Sequence, residues 1–163
     1  MKNNLAQEYL SSVLITGNKI KSLEYARLGI GEELGEVAGK IKRFRRGDYT
    51  KDEFKLNMKK ELGDLTWYLT LYNHLNNTPT RKFNQPKSKR IMESLNTLYE
   101  LQGYLVTATE PKFRGLTIEA MTNSVTDLAW SFGYTMEDIC KANIQKTQDR
   151  LLRGKIKGSG DER

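Results

Sequence analysis

The chain of 163 residues carries 37% hydrophobic and 29% charged side chains, a net charge of +7 and a single cysteine, Cys140. This composition suits one ordinary domain with a real core rather than a disordered chain, and the sequence excludes an internal disulfide and a run of the ~18 apolar residues that a membrane helix needs. No apolar stretch follows Lys2-Asn3-Asn4 to act as a signal peptide, so the expectation is a cytoplasmic protein with no membrane partner.

Apolar residues recur at helical spacing almost throughout. Leu5, Tyr9, Val13 and Leu14 predict a short first helix that stops near Gly17-Asn18. A second runs from about Ser22 to Arg46 on a stripe of Leu23, Ala26, Ile30, Leu34, Val37 and Ile41, and Gly47-Asp48 ends it. Thr50 and Glu53 are spaced as a capping box for a third helix. That helix carries Phe54, Leu56, Met58, Leu62, Leu65, Tyr68, Leu69 and Tyr72 and fades at Asn76-Asn77. Residues 78–90, polar, basic and proline-bearing, read as a loop. A fourth helix is expected over Ser88–Thr107 and a fifth over Leu116–Phe132, with Gly133 as the break. Thr135 and Asp138 open the last helix, which carries Ile139, Ala142, Ile144 and Leu151. No strand pattern competes. The expected fold class is all-α, a bundle of five or six helices in one domain over residues 1–163. The segment GDLTWYL at 63–69 is echoed by TDLAWSF at 126–132, as two core-facing turns of similar shape would be.

The positive charge is clustered in KIKRFRR (Lys40–Arg46), in RKFNQPKSKR (Arg81–Arg90) and in the tail with Arg150, Arg153, Lys155 and Lys157. Such runs attract nucleotides, nucleic acids or acidic partners, and they also serve as solvated helix faces.

Two acid pairs carry the chemistry. Glu33 and Glu36 in EELGE, and Glu61 and Asp64 in ELGD, are each three residues apart, so each pair shares a helix face. Their neighbours Leu34, Val37, Leu62 and Leu65 draw those faces toward a core in which acids are rarely buried unless paired or bound to a metal. The 24 residues between Glu36 and Glu61 suffice for helix, turn and helix to return antiparallel, which would set the pairs opposite each other. Four oxygen donors of this kind suit a hard cation that is shared with phosphate, Mg²⁺ first and Mn²⁺ as the alternative.

EELGE followed by ELGD resembles the signature of the MazG-like all-α nucleoside triphosphate pyrophosphohydrolases: E-x-x-E, a spacer, then E-x-x-D. The resemblance implies that Glu33, Glu36, Glu61 and Asp64 bind Mg²⁺, with Glu32 as an outer contact or water-positioning group. In NIQKTQDR, Asn143, Lys146 and Arg150 share one face of the last helix. They resemble the family's N-x-x-K-x-x-x-R stretch, which implies contacts to substrate phosphates. The tail GKIKGSGDER is similar to the glycine-rich basic ends of some phage and bacterial members. The likeness covers residues 20–75 and 124–163. It departs at 74–123, where compact members pass directly between the two motifs; the inserted segment reads as an extra helical hairpin, a lid or a subunit contact.

The implied reaction is hydrolysis of a (deoxy)nucleoside triphosphate to the monophosphate and pyrophosphate, with assembly as a homodimer or homotetramer. Lys40, one turn beyond Glu36, and the flat indole of Trp67 are further substrate-binding candidates. The alternative is a basic helical nucleic-acid-binding protein without catalysis; it rests on charge alone, because no zinc-finger or helix-turn-helix signature is present. A carboxylate-bridged di-iron bundle would need Glu-x-x-His, and Leu71 stands three residues before His74, the one histidine.

Overall fold

The structure, a computed structural model, describes residues 5–87 and 90–154. Among these residues the fold is all-α, with six helices and no strand: α1 (Leu5–Thr16), α2 (Leu23–Arg46), α3 (Lys51–Leu75), α4 (Ile91–Thr107), α5 (Pro111–Ser131) and α6 (Met136–Leu152). Local chemistry sets their ends. Ser22 accepts from the Tyr25 N–H at the start of α2, and Thr50–Glu53 and Thr135–Asp138 close reciprocal capping boxes on α3 and α6. Each satisfies first-turn N–H groups that have no partner within the helix. Gly47, at φ 90°, stops α2 in the left-handed conformation that a Cβ disfavours. Arg43, Arg45 and Arg46 crowd the last turn of α2, where the helix dipole favours cations.

One boundary departs from expectation. α5 begins at Pro111, not near Leu116. Proline breaks a helix interior, but at the first position its fixed φ and missing N–H cost nothing. Ser88 and Lys89, expected to open α4, lie outside the described residues, as does the tail from Lys155 onward. Leu56, counted in the apolar stripe of α3, faces solvent.

α2 and α3 are antiparallel. Phe44 stacks on Phe54 with ring centres 4.1 Å apart, Lys40 meets Glu61, and the Tyr68 ring lies against Gly29, so partners retreat along α2 as they advance along α3. α3 is the central element and packs against α1, α2, α5 and α6. It is therefore buried on more than one face, and even an acid on it can lie wholly inside. The 74–123 segment supplies a second hairpin, α4 packed on α5, which lies against α2 and α3. Its Leu95, Leu98, Ile118 and Met121 join the same core as Ile30, Leu34, Leu62 and Leu65. The echoed segments share a burial pattern: Leu65 and Leu128, and Leu69 and Phe132, all point inward. No helix among the described residues is long and apolar enough to cross a membrane.

Candidate metal centre

Glu33 from α2 and Glu61 and Asp64 from α3 converge, each offering a carboxylate oxygen within 4.8 Å of the others. The antiparallel register makes this possible: Glu33 stands across the helix pair from the turn that holds both α3 acids. The three differ in setting. Glu61 is fully buried, and Lys40 Nζ lies 3.0 Å from its Oε1. Asp64 is half-buried and accepts from Lys146 Nζ at 2.5 Å and from Asn143 Nδ2 at 2.8 Å. The Glu33 carboxyl is pushed up to about 8, first by burial and then by the charges of Asp64, Glu36, Glu61 and Glu32.

The donor set fits a hard divalent cation. All of the converging atoms are carboxylate oxygens, and Glu33, whose charged form is disfavoured by burial and by the neighbouring acids, lies among them. Glu36 does not converge. It lies exposed one turn on from Glu33 and acts on the cluster through its charge. The acids therefore stand as three together and one at the rim, where the spacing predicts four together.

The remaining candidates divide. Lys40 and Asn143 meet the acids directly, as does Lys146. Lys40, a substrate-binding candidate, pairs with the buried Glu61. Arg150, one turn beyond Lys146 on α6, is buried and not presented on an open face. Trp67 sits one turn past Asp64 as a packing element: its Nε1 donates to Thr16 Oγ1 at 3.0 Å, and it meets Tyr68 edge-on with ring centres 4.9 Å apart. Its benzo ring closes on Gly17, where a Cβ would stand 2.9 Å from Cζ2.

Two residues escape a motif search. Tyr9, fully buried on α1, donates from its hydroxyl to Asn143 Oδ1 at 2.8 Å and lies 3.2 Å from the Gly63 carbonyl. With its Oδ1 taken by Tyr9, the Asn143 carboxamide is fixed with Nδ2 toward Asp64. Gly63 makes room for it, since a Cβ there would stand 3.1 Å from Asn143 Cβ. A glycine inside a helix between two acids was the one available signal for this close approach. Tyr9 carried none, being spaced as one more member of the α1 stripe.

The remaining singled-out side chains are structural. Cys140 is fully buried in the core, and burial pushes its thiol well above the usual range. His74 is exposed at the end of α3. Comparison with family models, curated proteins and solved structures gives no match to this chain.

Proposed function

We propose that this chain is a Mg²⁺-dependent nucleoside triphosphate pyrophosphohydrolase of the MazG-like all-α kind. The observation that carries the reading is the convergence of Glu33, Glu61 and Asp64 from two antiparallel helices. Stability alone does not account for it. Replacing a buried ion pair such as Lys40–Glu61 by apolar side chains is often neutral or stabilising, whereas losing one partner costs ~3–5 kcal/mol. An acid retained at that depth is better explained by a task.

In this reading Glu33, Glu61 and Asp64 hold the cation, and Mn²⁺ is the alternative ion. The bound ion supplies charge to phosphate oxygens and lowers the pKa of a water. The chain's own residues do the rest. Glu36, at the solvent rim, accepts the proton of the attacking water. Lys40 and Lys146, already beside Glu61 and Asp64, turn part of their charge to the triphosphate once a cation shares those carboxylates. Asn143, set by Tyr9, orients Asp64. A homodimer or homotetramer belongs to the same reading, and exposed Tyr25 and Leu28 on α2 offer apolar area for such a contact.

The test is pyrophosphate release over a panel of ribo- and deoxynucleoside triphosphates, with Mg²⁺ and with chelator. Activity should require the metal. Glu33→Gln and Asp64→Asn should each lose more than the ~10–100-fold typical of an outer-shell partner, with the helical circular dichroism unchanged. Full activity in either variant would sink the assignment. Salt-sensitive binding of RNA or DNA without turnover would favour the second reading, a nucleic-acid-binding protein, for which the exposed Arg43, Arg45 and Arg46 are the specific support.

A further inference from the structure

Two of the three converging acids already hold an ammonium group. Lys40 Nζ, from α2, lies 3.0 Å from Glu61 Oε1, and Lys146 Nζ, from α6, lies 2.5 Å from Asp64 Oδ2. Glu61 and Asp64 stand one turn apart on α3, so positive charge from two other helices is delivered to one short stretch. A cation drawn to Glu61 and Asp64 meets two like charges in contact with the same carboxylates, and like charges at such distances oppose it.

The lysine contact is not what holds Asp64 in place. Asn143, fixed by the Tyr9 hydroxyl, grips Asp64 Oδ1 at 2.8 Å independently of the ammonium on Oδ2. Lys146 therefore brings charge to a carboxylate that is already oriented.

Both lysines are built to yield. A lysine ammonium is a compact point charge on a flexible four-carbon stem, with rotatable donors and none of the planar fork that locks an arginine onto a carboxylate. At the deeper pair the exposure is one-sided: the Lys40 side chain keeps 16% of its surface and that of Glu61 1%. An anion arriving from solvent meets the ammonium there and not the acid. Lys146 keeps a similar share, 18%.

We infer that Lys40 and Lys146 are exchangeable counter-ions, which oppose a divalent cation on its own and admit it together with a polyphosphate anion that takes over the two ammonium groups. The inference rests on the reading of the acid cluster as a metal centre and adds the rule by which that centre fills. A chain of two or more phosphates offers oxygens to a cation and to both lysines at once. Cation and polyphosphate then bind as a coupled pair, each tightening the other by the same factor.

The experiment is calorimetric titration of Mg²⁺ into the full chain, with and without inorganic pyrophosphate, at free-ion concentrations corrected for the Mg²⁺–pyrophosphate complex in solution. Pyrophosphate should tighten Mg²⁺ binding about tenfold or more, within the ~5–150-fold usual for coupled sites. Without pyrophosphate, Lys146→Met should bind Mg²⁺ about tenfold or more tightly than the parent, and it should lose most of the pyrophosphate effect. Lys146→Arg, which keeps the charge, should stay near the parent. A lysine that only braces Asp64 gives the opposite sign, weaker Mg²⁺ binding in Lys146→Met. Lys40→Met strips the ammonium from a buried glutamate and should destabilise the fold, so Lys146 carries the test; the pyrophosphate arm on the parent needs no variant at all. Mg²⁺ binding that pyrophosphate leaves unchanged, or that is equal or weaker in Lys146→Met, would overturn the proposal and leave the metal centre standing. No Mg²⁺ binding under either condition, or binding undiminished in Glu33→Gln/Asp64→Asn, would remove the metal centre itself and this proposal with it.

Discussion

Glu33 carries a perturbed carboxyl in the candidate centre. Its carboxyl keeps its proton up to about 8 in the folded chain, against an ordinary value of 4.5. Between those values the native state binds more protons than the unfolded one, so stability falls as pH rises through that window and levels off above it. Without a cation, thermal or denaturant unfolding in chelator should show this loss from about pH 4.5 to pH 8, on the order of a few kcal/mol. Glu33→Gln should flatten the slope, and a slope unchanged by that substitution would show that the carboxyl ionises normally. The triad of Asp64, Asn143 and Tyr9 is the other residue-scale device. Its Asp and Asn were legible in the sequence because helical spacing alone puts them on defined faces. Tyr9 was not, because a tyrosine in an apolar stripe looks the same whether or not its hydroxyl has a target 134 residues away.

At the scale of elements, the α2–α3 pair and its approach to α6 depend on two glycines. At Gly29 an added Cβ would stand 2.2 Å from Tyr68 Cε1, and at Gly63 it would stand 3.1 Å from Asn143 Cβ. The two substitutions should separate by effect. Gly29→Ala forces the Tyr68 ring aside between packed helices, and overpacking of that kind costs ~1–3 kcal/mol. That exceeds the ~0.8–1 kcal/mol of helix propensity gained by replacing glycine with alanine. Gly63→Ala asks for a shift of only a few tenths of an ångström, so its melting temperature should change little. Its Mg²⁺ affinity should fall toward the ~10–100-fold loss seen for outer-shell partners, because the displaced group orients Asp64. Melting curves and Mg²⁺ titrations of both variants check this, and the reverse ordering would contradict the packing argument. The helix ends themselves were readable in advance at α2, α3 and α6, where Ser22, Thr50, Gly47 and Thr135 act within four residues. The start of α5 was not, since Pro111 serves equally well as a helix breaker or a first helical residue until its neighbours are placed.

For the whole molecule, one core joins the hairpin α2–α3, which carries the acid cluster, to the second hairpin α4–α5, so a ligand at the first should stabilise the entire bundle. A cation that binds only the folded state adds about 2.7 kcal/mol at a hundred times its Kd. Saturating Mg²⁺ should therefore raise the melting temperature of the parent protein and leave that of Glu33→Gln/Asp64→Asn almost unmoved; an equal rise in both would place the cation elsewhere. The amino-acid string by itself determined that this chain is helical, where most helices begin and end, and that its acids fall in two pairs, because those properties depend on neighbours within a turn or two. Only the tertiary structure decided which acids meet. Convergence depends on how α2 and α3 are rotated about their axes, and that rotation is set by long-range packing against α1, α5 and α6: it turns Glu61 inside, brings Glu33 and Asp64 to it, and leaves Glu36 in solvent.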